Sequence, residues 1–218
     1  MYYIDIHTHK TRTEPEIISI LNIRLGYDDN ISPVNCLYSI GLHPWDIKDI
    51  TDIELLDKIT DDNNLLAIGE CGFDKNINIP FSIQKNIFIK HVELSEKYHK
   101  PLIIHCVKYF NEIISLRIEL KPTENWIIHG FCGSSQLAKQ LIESGFILSF
   151  GKVLFDERKN MKNLFCMIHD NLFFLETDES TKSIENIYLR VSEIKEISVE
   201  NLKKLIYNNY KNVFKSKL

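Results

Sequence analysis

The sequence predicts a parallel α/β fold in a single domain, 1–218, and three observations carry that prediction. Short runs rich in β-branched, Leu and aromatic residues alternate with longer amphipathic stretches. Several of these runs are apolar almost throughout, as expected of strands covered on both faces. No repeat, low-complexity tract or Pro/Gly/Ser-rich linker interrupts the 218 residues. That length suits one domain, though it is short for an eight-stranded barrel.

The expected strands lie at 2–6, 36–42, 65–70, 102–106, 126–130, 146–150 and 172–177, with 16–23 as a candidate eighth. The helical period appears at 83–99, where Ile87, Leu94 and Tyr98 share a face and Pro101 stops the helix. A second helix, 134–144, ends before Gly145, a natural residue just past a C-terminus. A third, 199–214, follows Ser198 as N-cap and aligns Val199, Leu202, Leu205, Ile206 and Val213 along one stripe. The first third of the chain lacks convincing helices, so a barrel built from it is expected to be irregular there.

The hydrophobic share of 44% and charged share of 26% are those of a globular protein, which excludes disordered and collagen-like classes. No apolar run reaches the ~18–20 residues of a membrane span, and the N-terminus lacks the pattern of a secretory signal. The reading is a cytoplasmic protein with no membrane partner. A net charge of −4 argues against coating nucleic acid with a basic surface, but not against a nuclease whose metals supply the positive charge. Five scattered cysteines without a Cys-x-x-Cys pair suggest buried reduced thiols rather than a zinc finger or disulfide framework.

Candidate chemistry begins at His7-Thr8-His9. In extended chain the two imidazoles fall on one side, where both reach one metal. Asp5 shares that side and is read as structural. Glu70, His105, His129 and Asp178 each stand at or near the C-terminal end of an apolar run. In a barrel those ends converge on one face, where active sites form. Four histidines with carboxylates suit zinc or manganese better than calcium. Cys71 and Cys106 directly follow Glu70 and His105, so their side chains point the other way. His91, His99 and His169 fall in helical stretches and are read as structural or solvent-exposed. His43, in Gly-Leu-His-Pro-Trp after a strand, is balanced between a turn role and contact with ligands or substrate.

These residues resemble the TatD-like metal-dependent deoxyribonucleases of the amidohydrolase-like group. The motifs are Asp5-Ile6-His7-Thr8-His9, Gly41-Leu42-His43-Pro44, Ile68-Gly69-Glu70-Cys71-Gly72-Phe73-Asp74, Pro101-Leu102-Ile103-Ile104-His105, His129-Gly130-Phe131-Cys132-Gly133-Ser134 and Leu175-Glu176-Thr177-Asp178. The resemblance implies a distorted TIM (β/α)8 barrel, irregular in its first third, with two divalent metal ions (Zn, Mn or Mg). It implies that His7, His9 and Asp178 hold one ion, His105 and His129 the other, and that Glu70 bridges them. Asp178 and Glu70 are then the catalytic pair. The implied reaction is hydrolysis of DNA phosphodiesters, often as a 3′-to-5′ exodeoxyribonuclease, by a water activated between two metals.

The substrate is expected to be single-stranded DNA or frayed ends, with His43, Lys108 and Gln84 as contacts and Trp45, Phe73 and Phe131 as candidate stacking surfaces. Core packing is the stronger reading for each of these aromatics. Where the family often carries Ser-Arg after the strand-end histidine, this chain has Cys106-Val107-Lys108. After Asp178, Glu179-Ser180-Thr181 replaces the family's Ser-Pro-Tyr. The metal ligands look intact while the substrate contacts look trimmed. Two alternatives therefore stay open: a small-molecule amidohydrolase, lactonase or phosphoesterase, and a non-catalytic metal-binding subunit with protein partners in a multi-gene system.

Overall fold

The computed structural model describes residues 1–28 and 36–215. Its strands are β1 (Tyr3–Thr8), β2 (Ile17–Arg24), β3 (Tyr38–Gly41), β4 (Leu65–Asp74), β5 (Leu102–Val107), β6 (Trp126–Ile128), β7 (Phe146–Phe150) and β8 (Phe173–Leu175). Its α-helices are α1 (Phe81–Tyr98), α2 (Phe110–Leu120), α3 (Ser135–Glu143), α4 (Met161–Met167), α5 (Ile184–Lys195) and α6 (Val199–Phe214). The strands form one sheet in sequence order from β1 to β8. Thr8 in β1 makes a parallel bridge to Asp178, just past β8. The fold class is the (β/α)8 barrel that the sequence implies.

The early irregularity is present. Before α1 the described helical segments are 3₁₀ turns at Pro44–Asp46 and Ile50–Lys58, and the β1/β2 register shifts between Asp5 and Thr8. The segment at 16–23, the weakest strand expectation, is β2. Serine caps set the later helices: Ser134, Ser183 and Ser198 accept from the main-chain N–H three residues on, opening α3, α5 and α6. Helices α2, α4 and α5 were not among the sequence expectations; α2 follows Tyr109 with no side-chain cap.

Two compact units, 1–21 with 128–218 and 22–127, divide the chain. In the first, Ile4, Ile6, Phe146, Leu148, Phe174 and Leu175 are fully buried, with α5 and α6 packed on β1 and β8 and α3 on β7, each apolar side chain contributing about 2 kcal/mol by leaving water. The Tyr188 hydroxyl of α5 accepts from Ile4 N–H at 2.9 Å and fixes β1. In the second, Phe88 of α1 packs on Phe73 and Trp126, and Ile68 and Ile103 are fully buried. No described helix is long and apolar enough to cross a membrane.

Candidate metal centre

In the first unit, β1 delivers His7 and His9 and the segment after β8 delivers Asp178. Asp178 N–H donates to His7 O at 2.9 Å, which ties the aspartate to the histidine strand. It takes a left-handed φ of 50°, a conformation Asp tolerates better than most residues and one that recurs at functional sites. Its Oδ1 lies 3.4 Å from His9 Nε2 and 3.9 Å from His7 Nε2. The donor atoms of these three residues fall within 4.8 Å of one another, a spacing that fits one divalent ion. His7 is buried, whereas His9 and Asp178 keep 23% of their side-chain surface exposed. The His129 ring stands 4.3 Å from that of His7.

Two neighbours hold this set in place. Glu176, fully buried, accepts Gly130 N–H at 2.6 Å and places Oε1 3.5 Å from His129 Nδ1. That arrangement orients the ring and favours Nε2 as its ligand atom. Asp5 accepts from both the N–H and the hydroxyl of Thr177, at 2.9 and 2.7 Å, and pairs with Arg12. Burial pushes the Asp5 carboxyl up to about 7, against the pull of Thr177 and Arg12. Asp5 thus has the structural place expected of it, joining β1 to the end of β8.

In the second unit, Glu70 sits in a register shift of β4 between Ile68 and Cys71. Gly69 and Gly72 flank it at φ values of 136° and 140°, and a Cβ on either would strike the carbonyl oxygen of Ile103 or His105. The two glycines let β4 lie close on β5, which sets Glu70 Oε1 3.0 Å from His105 Nδ1. His43 Nε2 approaches the same oxygen at 3.0 Å. The donor atoms of His43, Glu70 and His105 form a second trio within 4.8 Å. Asn22 of β2 clamps Glu70 twice, accepting its N–H at 2.9 Å and donating from Nδ2 to Oε2 at 3.2 Å. Burial lowers the His43 pKa, with Glu70 pulling the other way.

The remaining candidates fall in different places. Lys108 is exposed at the end of β5 and donates to Asn76 Oδ1 at 3.0 Å. Gln84 is buried in α1, with its amide spent on the main chain of Asp74 and Ile79. Phe73 and Phe131 are core residues, while Trp45 is 58% exposed. His91 is buried, with Nε2 accepting Leu42 N–H and Nδ1 on Ile87 O. Buried thiols do not describe all the cysteines: Cys71 is buried, but Cys132 on a loop and Cys166 on the outer face of α4 are exposed. Asn22, Asp74 and Glu176 were not singled out for the site. The available signal was a polar residue inside an otherwise apolar strand.

Residues 8–215 match the family model described as TatD related DNase. The uncharacterized metal-dependent hydrolase YabD of Bacillus subtilis is 27% identical over 195 residues, covering 81% of this chain and 76% of that one. A similar uncharacterized hydrolase of Methanocaldococcus jannaschii is 27% identical over 202 residues, covering 84% and 78%. Among solved structures, the TatD homologue YjjV of Escherichia coli aligns over 98% of both chains with a TM-score of 0.77 at 17% identity. A TatD family hydrolase of Entamoeba histolytica aligns over 98% of both with a TM-score of 0.75, also at 17% identity. Fold and sequence agree: the chain belongs to the TatD-related DNase family of metal-dependent hydrolases.

Proposed function

We propose that the protein hydrolyses phosphodiester bonds at single-stranded or frayed DNA ends, as a 3′-to-5′ exodeoxyribonuclease using two divalent ions in the cytoplasm. The observation that carries this reading is the pair of His/carboxylate trios, one in each unit, built from the family's ordered motifs. His7, His9, Asp178 and His129 are the ligand candidates of the first unit, and Glu70 and His105 those of the second. Bound divalent ions would lower the pKa of a water and neutralise charge on the phosphate. Asp178 is the part-exposed carboxylate of its trio, and in this reading it accepts the proton of the attacking water. Lys108 offers a point charge to a phosphate, and the exposed face of Trp45 offers a surface for a base.

The test is release of nucleotides from 3′- and 5′-labelled single-stranded DNA with Mg²⁺, Mn²⁺ or Zn²⁺, comparing wild type with Glu70→Ala. Metal-dependent loss of the 3′ label first, abolished in Glu70→Ala, is the expected result. Protein that holds metal yet digests no DNA with any of the three ions would remove DNA as the substrate.

A further inference from the structure

Trp45, on the 3₁₀ turn Pro44–Asp46, contacts His43 and the carboxylate beside His105, the two histidines of the second trio. Its main-chain N–H donates to His43 Nδ1 at 3.0 Å. Nδ1 therefore carries the lone pair and Nε2 the proton, which makes Nε2 a donor to Glu70 Oε1 at 3.0 Å. The indole N–H of the same residue donates to Asp74 Oδ2 at 2.8 Å. That oxygen also lies 3.2 Å from His105 Nε2, while Asn76 N–H occupies Asp74 Oδ1 at 2.8 Å.

His105 is thus flanked by two carboxylates, Asp74 at Nε2 and Glu70 at Nδ1. The two sides are not equivalent. Asp74 already serves two N–H donors besides His105, and an ion at Nε2 would have to displace them. Among the described residues Asp74 joins no trio with ligand spacing, whereas Glu70 and His105 do, and it is His105 Nδ1 that lies 3.0 Å from Glu70 Oε1.

Resting on the reading of Glu70 and His105 as ligands, we propose that Asp74, anchored by Trp45, is a positioning residue. It holds the proton of His105 on Nε2 and leaves Nδ1 to a divalent ion shared with Glu70. The main-chain N–H of Trp45 meanwhile keeps His43 outside the ligand set, as a hydrogen-bond donor to Glu70. The turn at Trp45 therefore selects the tautomer of both rings, the task that outer partners perform at other histidine metal sites.

The test uses the full chain, ¹⁵N-labelled at histidine and titrated with Zn²⁺, with resonances assigned through His105→Gln and His43→Gln. The expected spectrum shows His105 protonated at Nε2 and zinc-bound at Nδ1, and His43 protonated at Nε2 with a bare Nδ1. Asp74→Ala is expected to weaken zinc binding at His105 by about 10–100-fold. Asp74→Asn, which keeps an oxygen acceptor, is expected to restore most of it. Zinc on His105 Nε2, zinc on His43, or unchanged affinity and spectrum in Asp74→Ala would each overturn the proposal. Should Asp74→Ala fail to fold, Trp45→Phe decides at an exposed position: an unaltered His105 signal and affinity overturns it, and a weaker site supports it. A wild type that binds no zinc, manganese or magnesium overturns the hydrolase reading as well, whereas zinc bound through His43 overturns this assignment alone.

Discussion

The two His/carboxylate trios are built differently. In the second unit His43 and Glu70 are buried, His105 is half-buried, and each is gripped: Glu70 by Asn22, His43 by Trp45, His105 by Asp74. Strong donors outweigh the burial that would raise the Asp74 carboxyl, and hold it below its ordinary value. In the first unit His7 is buried, but His9 and Asp178 are part-exposed, and the Asp178 main-chain N–H donates to His7 O. The contrast teaches a division of labour. In the proposed reading, the gripped Glu70–His105 pair suits lasting ion binding, while the open trio suits exchange of water and substrate.

The comparison breaks first at Asp178. Replacing it with Asn keeps the shape and removes the charge, so DNA hydrolysis is expected to fall about 10²–10⁴-fold. The His105 and His43 resonances should stay where they are. A shift of those resonances would mean that the two trios are not separately organised.

Glu176→Gln probes the grip on His129 in the first unit. A Gln can present its amide nitrogen to the ring or to Gly130 N–H, so ion affinity read by chelator competition is expected to drop about 10-fold. Wild-type affinity would show that His129 needs no orienting carboxylate.

Stability against pH sharpens the burial side of the comparison. Burial lowers the His91 pKa to about 4, despite its bond to Ile87 O. Because the folded-state pKa lies below the ordinary 6.5, this residue contributes fully above 6.5. Its contribution declines as pH falls toward 4, since only the unfolded chain takes up the proton. Between pH 7.5 and 5.0 the loss is about 2 kcal/mol. Urea unfolding at the two values should show a loss that is smaller by that amount in His91→Gln.

The smallest effect is expected at Lys108. Lys108→Ala should raise KM for single-stranded DNA a few-fold with kcat unchanged, and flatten the salt dependence of KM. An unchanged KM would leave the phosphate contacts to other residues.

Much of this was legible along the chain. The strand runs stand out because buried parallel strands must be apolar throughout, and Ser134 and Ser198 mark helix starts because a serine can satisfy an orphan N–H; the same signal at Ser183 went unread. The ligand types at strand ends are equally visible, as Glu70 after Ala-Ile-Gly and His105 after Leu-Ile-Ile show. Helices α2, α4 and α5 were not read from the sequence, and α2 carries no side-chain cap to mark its start. Gln84 and Lys108 carry the right chemistry in the sequence, but hydrogen bonds to Asp74, Ile79 and Asn76 decide what each is available to do.

The sequence by itself determined the parallel α/β order, the family and the set of ligand-type residues, because these depend on residue type and spacing along one chain. Tertiary structure alone decided which nitrogen of each histidine faces a carboxylate, that Phe73 and Phe131 are core while Trp45 is not, and that Asn22, Asp74 and Glu176 contact the candidate ligands. Those outcomes depend on contacts between residues such as Asn22 and Glu70, or Gly130 and Glu176, lying 48 and 46 positions apart. No local pattern encodes such distances; the packing of strand against strand does.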